Sequence, residues 1–152
     1  MKKLLLAVLV LSSTSLFAQK KADDIARLST ETYDFGKVKQ NTPPTATITV
    51  TNIGNEPLII EQATPSCGCT VSDYTKAPIA PGKTGTITAT YNAAAVGPIN
   101  KTLTVKFAGA DEPKFIKLTG EVLTPDAYAA YEAAHPAKKD KKESKETGSS
   151  KS

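Results

Sequence analysis

A period of two runs through the middle of this chain and constrains its fold more than any other feature. In residues 45–51, Ala46, Ile48 and Val50 fall on one side of an extended backbone, and Thr45, Thr47, Thr49 and Thr51 fall on the other. Residues 86–91 repeat the pattern with Ile87 and Ala89, and residues 103–107 repeat it with Leu103, Val105 and Phe107. Residues 116–122 begin in the same way with Ile116 and Leu118. A helix would scatter these residues around its circumference, whereas a strand gathers them on one face to be buried. Threonine suits the opposite face because its branched side chain packs well on a pleated surface.

Turn-forming residues separate the runs at 52–57, 78–82, 97–98 and 109–113. Strands are expected at 33–38, 45–51, 58–61, 70–74, 84–91, 101–107 and 115–122, and seven short strands suit an antiparallel β-sandwich spanning 31–123. A barrel is the alternative all-β architecture. Glycine and proline are expected at strand ends, since a central strand cannot spare an amide donor. Residues 19–30 read as a linker. Thr124, Pro125 and Asp126 form a helix-start signal, so a short helix is expected over 124–136 with Tyr128 and Tyr131 on one face and Pro136 at its end. Residues 137–152 are lysine-rich, lack apolar residues able to form a core, and read as a disordered tail.

The first 18 residues have the form of an export signal: Lys2 and Lys3, an apolar run over 4–11, and Leu16-Phe17-Ala18 before a cleavage point between Ala18 and Gln19. The apolar run is much shorter than the roughly 20 residues needed to span a bilayer. No cysteine stands at the junction to carry a lipid, so a soluble periplasmic or secreted product without stable membrane insertion is expected. The net charge of +4 loses two units with Lys2 and Lys3, too little to argue for a nucleic-acid partner. Six lysines against three acids over 138–152 allow at most a weak contact of the tail with anionic surfaces.

Cys67-Gly68-Cys69 is the reactive feature of the sequence. In an oxidising compartment two cysteines suggest a disulfide, and here the ring would be very small. Gly68 is expected to relieve its backbone strain, and such a short loop stabilises little. A structural zinc ion needs about four ligands, and His135 is the sole histidine. Cys67 and Cys69 as thiolates could hold a soft ion such as copper(I), or zinc shared between two chains. Structural disulfide, thiol or metal chemistry, and intermolecular pairing all remain open at this point. No cofactor is expected. Catalysis lacks a paired base, because Asp34, Glu56, Glu61, Asp73 and Asp111 fall mostly at strand ends and turns. No phosphate-binding glycine loop or dinucleotide fingerprint occurs. A non-enzymatic protein is expected.

Four segments together resemble the bacterial domain-of-unknown-function family 1573, found in exported proteins of the Bacteroidetes type. They are Tyr33-Asp34-Phe35-Gly36-Lys37-Val38, Asn52-Ile53-Gly54-Asn55-Glu56-Pro57-Leu58-Ile59-Ile60, Ser66-Cys67-Gly68-Cys69-Thr70 and Pro78-Ile79-Ala80-Pro81-Gly82. The resemblance implies an immunoglobulin-like sandwich similar to Hydin-type and pilus-chaperone-like domains, and a cell-envelope location. It implies no particular activity. The strand before Asn52 often carries aromatic residues in that family, where this chain has Ile48 and Val50. The expected function is therefore an exported binding or scaffolding module whose partner is another envelope protein, with a soft-metal or redox protein working through Cys67 and Cys69 as the alternative.

Overall fold

The alternating runs pair as their pattern requires. In the computed structural model, which describes residues 21–135, β3 (Thr45–Asn52) lies antiparallel to β6 (Thr84–Tyr91), with Ile48 opposite Ile87 and Ala46 opposite Ala89. These four side chains are fully buried. On the outer face Thr45, Thr47, Thr49 and Thr51 stand directly opposite Thr90, Thr88, Thr86 and Thr84, and the Thr45 and Thr90 hydroxyls share a 2.8 Å hydrogen bond. Short strands β1 (Ala26–Leu28) and β5 (Thr70–Tyr74) complete this sheet in the order β1-β3-β6-β5.

The second sheet has the order β2-β8-β7-β4, formed by β2 (Thr32–Lys39), β8 (Lys114–Leu123), β7 (Gly97–Phe107) and β4 (Ile60–Pro65). Its inward residues Leu103, Val105, Phe107, Ile116 and Leu118 pack with Ile48, Val50 and Ile87 in one core between the sheets. Each such side chain contributes about 1.5–3 kcal/mol through its removal from water. A smaller cluster of Val38, Tyr91, Ala93, Ile99 and Val122 fills one end of the sandwich, with Phe35 and Cys69 packed against it.

The all-β sandwich agrees with the expectation, and its details differ. Among the described residues there are eight strands rather than seven. The added strand, β1, lies inside the stretch read as a linker. It follows a single helical turn, α1 (Ala22–Ile25), and Ala22, Ile25 and Ala26 are all buried in the main core. Three residues are too few to display a period of two, so nothing in the sequence marked this strand. The sandwich is not wholly antiparallel, because β2 runs parallel to β8. The strand expected at 58–61 lies instead at Ile60–Pro65, and Leu58 forms an isolated bridge with Ile79. Gly97 and Pro98, read as a turn, begin β7 opposite Val122 and Glu121. Proline is tolerated there because it stands at the start of the strand. Glycines also enter strand interiors, at Gly36, Gly85 and Gly120.

Helix α2 (Pro125–Ala134) starts where its signal placed it, with the Ala127 amide donating to the Thr124 hydroxyl at 3.3 Å. It buries no residue, although Tyr131 borders a cleft with Asp34, Gly36 and Lys37. The export signal, its cleavage point at Ala18 and Gln19, Pro136 and the lysine-rich tail lie outside the described residues.

Lys114 ties the N-terminal segment to the sheet by pairing with both Asp23 and Glu31, and its own side chain is only 14 % exposed. The hydrogen bond to Asp23, then that to Glu31, hold its ammonium above the ordinary 10.5. A raised value in the folded state means the stabilisation is complete below pH 10.5 and disappears as pH rises through the folded value. Lys114→Met is expected to cost about 1 kcal/mol near neutrality, because both acids are exposed. Denaturant melts of the two proteins should converge in strongly alkaline buffer.

Candidate functional site

Cys67 and Cys69 sit in the short loop that carries the chain from β4 in one sheet to β5 in the other. They are joined by a disulfide with their Cα atoms 5.2 Å apart, an ordinary separation for such a bond. Four hydrogen bonds hold the loop on either side of the pair. The Ser66 amide donates to the Thr102 carbonyl at 2.8 Å, and the Thr102 amide donates back to the Ser66 hydroxyl at 3.1 Å. The Thr70 amide donates to the Cys67 carbonyl at 3.3 Å, and the Asn92 amide donates to the Cys69 carbonyl at 2.9 Å.

The two sulfurs have different surroundings. Cys69 is half-buried against the small end cluster of Val38, Tyr91, Ala93, Ile99 and Val122. Cys67 has the Thr70 hydroxyl 3.7 Å from its Sγ, and Thr70 itself is only 4 % exposed. In the sequence Thr70 opens a strand and closes the Ser66-to-Thr70 segment, with no sign of a role beside the sulfur. A hydroxyl three residues after a cysteine is too common for the sequence alone to single it out.

Gly68 does not play the part expected of it. Its φ lies outside the left-handed region that favours glycine, and a Cβ built there would meet no atom within 4 Å. The ring closes without special backbone freedom, so Gly68→Ala is expected to change the melting temperature by no more than about 2 °C. Differential scanning calorimetry would check it. The disulfide itself, closing a loop two residues apart, contributes roughly 1.5 kcal/mol by constraining the unfolded chain. While the bond is intact neither sulfur is a thiolate, so metal binding at this pair requires two-electron reduction first.

The other candidate residues do not assemble around the disulfide. His135 stacks on Tyr131 at 4.6 Å at the end of α2. Asp34 accepts the Gly36 amide at 2.9 Å, and Glu61 pairs with Lys106 at 3.0 Å. Asp73 lies 3.3 Å from Lys76, and its carboxyl is held below the usual 3.8 first by the Tyr74 amide and then by that lysine. Asp111 is exposed in the loop before β8, and Glu56 lies in the turn after β3. Among the described residues no three His, Cys, Asp or Glu side chains are grouped to hold a metal ion.

Strand β5, which leaves the disulfide loop, is an edge of its sheet. The Asn92-to-Cys69 and Thr75-to-Thr86 hydrogen bonds bracket its ladder. Antiparallel alternation therefore turns the backbone groups of Val71 and Asp73 towards β6, and those of Ser72 and Tyr74 away from it. The side chains of Ser72 and Tyr74 reach across to β4, donating to the Ala63 carbonyl at 2.5 Å and the Glu61 carbonyl at 2.6 Å. They thereby occupy carbonyls of the neighbouring edge. Val71 lies on the outer face beside Thr90 and is 72 % exposed.

Two four-stranded sheets closed over an apolar core, with a disulfide loop joining them, define an immunoglobulin-like β-sandwich. Over residues 26–122 the chain matches the family described as protein of unknown function (DUF1573), and it belongs to that family. Among curated proteins none matches it. A protein of unknown function from Porphyromonas gingivalis is similar at a TM-score of 0.57 and 17 % identity, over 72 % of this chain and 51 % of that one. The secreted serine protease VesC of Vibrio cholerae is similar at 0.52 and 15 %, over 73 % of this chain and 27 % of that one. PapD-like domain 7 of human CEP192 is similar at 0.51 and 9 %, over 66 % and 87 %. This chain thus spans about half the length of the Porphyromonas protein and about a quarter of VesC. At these identities the likeness is one of fold.

Proposed function

We propose that the protein is an exported, non-enzymatic binding or scaffolding module of the bacterial cell envelope, and that it engages another envelope protein along the β5 edge. The observation that carries this reading is Val71, a large aliphatic residue 72 % exposed on an edge strand whose alternate backbone groups face away from the sheet. An edge of this kind accepts an added strand: the backbone provides hydrogen bonds, and exposed side chains provide selectivity. The N-terminal sequence supports export, since Lys2, Lys3, the apolar run and Ala18 have the order a signal requires. The non-enzymatic part is supported by a single histidine occupied with Tyr131 and by carboxylates scattered over different elements. Fold alone would not favour binding over any other role.

A photocrosslinking residue in place of Val71, compared in the native envelope with the same group in place of Glu112, tests this reading. One discrete crosslinked protein is expected from position 71 and none from position 112. Ser72→Pro, which removes an amide facing away from β6 together with the hydroxyl bond to the Ala63 carbonyl, should abolish the crosslink while circular dichroism shows the domain still folded. Equal crosslinking from both positions, or a crosslink that survives Ser72→Pro, would sink the edge-pairing mode.

A further inference from the structure

We propose that the Cys67–Cys69 disulfide is a thiol–disulfide exchange site for cysteine pairs of other proteins, with Cys67 the sulfur that bonds to the client and Cys69 the one that resolves that bond. This inference does not depend on the β5 edge; it keeps the binding role and replaces the non-enzymatic part of that reading.

The bond holds little structure. It links residues only two apart, and the backbone on either side is already fixed by hydrogen bonds from Thr102, Asn92 and Thr70. Those bonds do not involve the sulfurs, so they persist when the pair is reduced. The loop then presents two thiols close enough to close again, a preorganised dithiol rather than a staple. A structural disulfide resists exchange when it is buried and when its loss releases the chain. Cys67 and Cys69 are only half-buried, in a surface loop between strands.

Their surroundings divide the roles. In the reduced pair the Thr70 hydroxyl, 3.7 Å from Cys67 Sγ in the disulfide form, can donate to the Cys67 thiolate and favour its ionised state. Cys69 packs on apolar side chains, which disfavour its ionised state and limit access to it. Access selects the sulfur that is attacked: Cys69 is covered by the end cluster, so a client thiolate reaches Cys67 Sγ. The Cys67–Cys69 bond breaks, a client–Cys67 disulfide forms, and Cys69 leaves as a thiolate that takes up a proton. The client's second thiolate then attacks the client sulfur of the mixed disulfide and expels Cys67 as a thiolate. The client dithiol has lost two electrons and become a disulfide, and Cys67 and Cys69 have gained them as a dithiol. A second turn requires another disulfide, from a small molecule or a protein, to reoxidise the pair. In the reverse direction the Cys67 thiolate attacks a client disulfide and expels one client thiolate, and the Cys69 thiolate then resolves the mixed disulfide by attacking Cys67 Sγ and expelling the second, so the client gains two electrons.

The first test incubates the purified disulfide-bonded protein with a synthetic peptide carrying two reduced cysteines at neutral pH. Mass spectrometry follows both partners, and circular dichroism follows the fold. Peptide disulfide is expected to appear in step with protein dithiol while the β signal stays unchanged. A disulfide that stays intact under excess peptide, or that opens only as the protein unfolds, would overturn the proposal. The second test compares Cys69→Ala and Cys67→Ala, each confirmed as folded, in reaction with a small aromatic disulfide. The Cys67 thiol is expected to react about tenfold faster at neutral pH. Equal rates or the opposite order would overturn the assignment of roles. In the Cys69→Ala background, Thr70→Val should move the pH midpoint of Cys67 reactivity upward, a readout that a purely structural threonine would leave alone.

Discussion

Asn52→Leu is expected to destabilise the domain by about 3 kcal/mol, lowering its melting temperature by roughly 10–15 °C. Asn52 is 1 % exposed, and its side chain binds the turn that follows β3 to the loop before β6. Its Nδ2 donates to the Glu56 carbonyl and the Ile79 carbonyl, both at 2.7 Å, and its Oδ1 accepts the Gly54 amide at 2.9 Å. Its backbone joins the same junction, since its amide donates to the Lys83 carbonyl and its carbonyl accepts the Gly82 amide. Leucine keeps much of the volume and none of the side-chain bonds. The Ile79 carbonyl would still accept from Leu58, but Gly54 and Glu56 would each lose a well-placed partner. The Asn52→Asp variant separates hydrogen bonding from shape. Its carboxylate could still accept from Gly54 but would face two carbonyl oxygens, so burial and repulsion would raise its folded pKa above the ordinary value of about 3.9. The penalty should therefore grow as pH rises through that range and shrink in acid, where the group is protonated. Thermal melts from pH 3 to 7 would check both variants. A loss below about 1 kcal/mol for Asn52→Leu would mean that the turn is held by its backbone alone.

Asn52 also shows how far the sequence could be read. Its place at the end of an alternating run and before Gly54 and Pro57 announced a turn, and the turn is there. Its burial was not legible, because it depends on the 79–83 loop folding back over it from a distance in sequence. The same division runs through the whole fold. Alternation identified the inward residues of β3, β6, β7 and β8, since their burial follows from local geometry alone. The parallel pairing of β2 with β8, the short β1 and the displaced β4 depend on neighbours supplied by remote segments. Local spacing carries no information about those neighbours.

The cysteine loop divides similarly. The sequence offered the pair and its spacing, but not the unequal surroundings of the sulfurs, which arise from the end cluster on one side and Thr70 on the other. It also assigned Gly68 a need for unusual backbone geometry that the folded loop does not have. Nor could the alternation within 70–74 show that Val71 would be left on an uncovered face. An edge strand has the same pattern as a central one, and only the order of strands in the sheet tells them apart.

Gly120→Val should cost roughly 3–5 kcal/mol, in contrast to the near-neutral change at Gly68. Gly120 lies inside β8 with φ at 149°, a conformation open to glycine and strained for any residue with a Cβ. Space is short as well. A Cβ there would sit 2.9 Å from the Gly36 carbonyl oxygen, 3.2 Å from Phe35 Cβ and 3.3 Å from Ile99 Cδ1. The first of these is backbone and cannot rotate away. It belongs to the irregularity of β2 between Asp34 and Lys37, where Gly36 has φ at 66° and its amide is held by the Asp34 carboxylate. The two glycines thus let β2 bulge against β8 within an otherwise parallel pairing. Valine at 120 must push β2 outward, disturbing the contact of Phe35 with the end cluster against which Cys69 also packs. Denaturant unfolding should show the loss directly, and hydrogen exchange should show it concentrated in β2 rather than in β3 and β6. If Gly120→Val melted within about 3 °C of the parent, β2 would be free to move, and its parallel pairing would not be a fixed part of the sandwich.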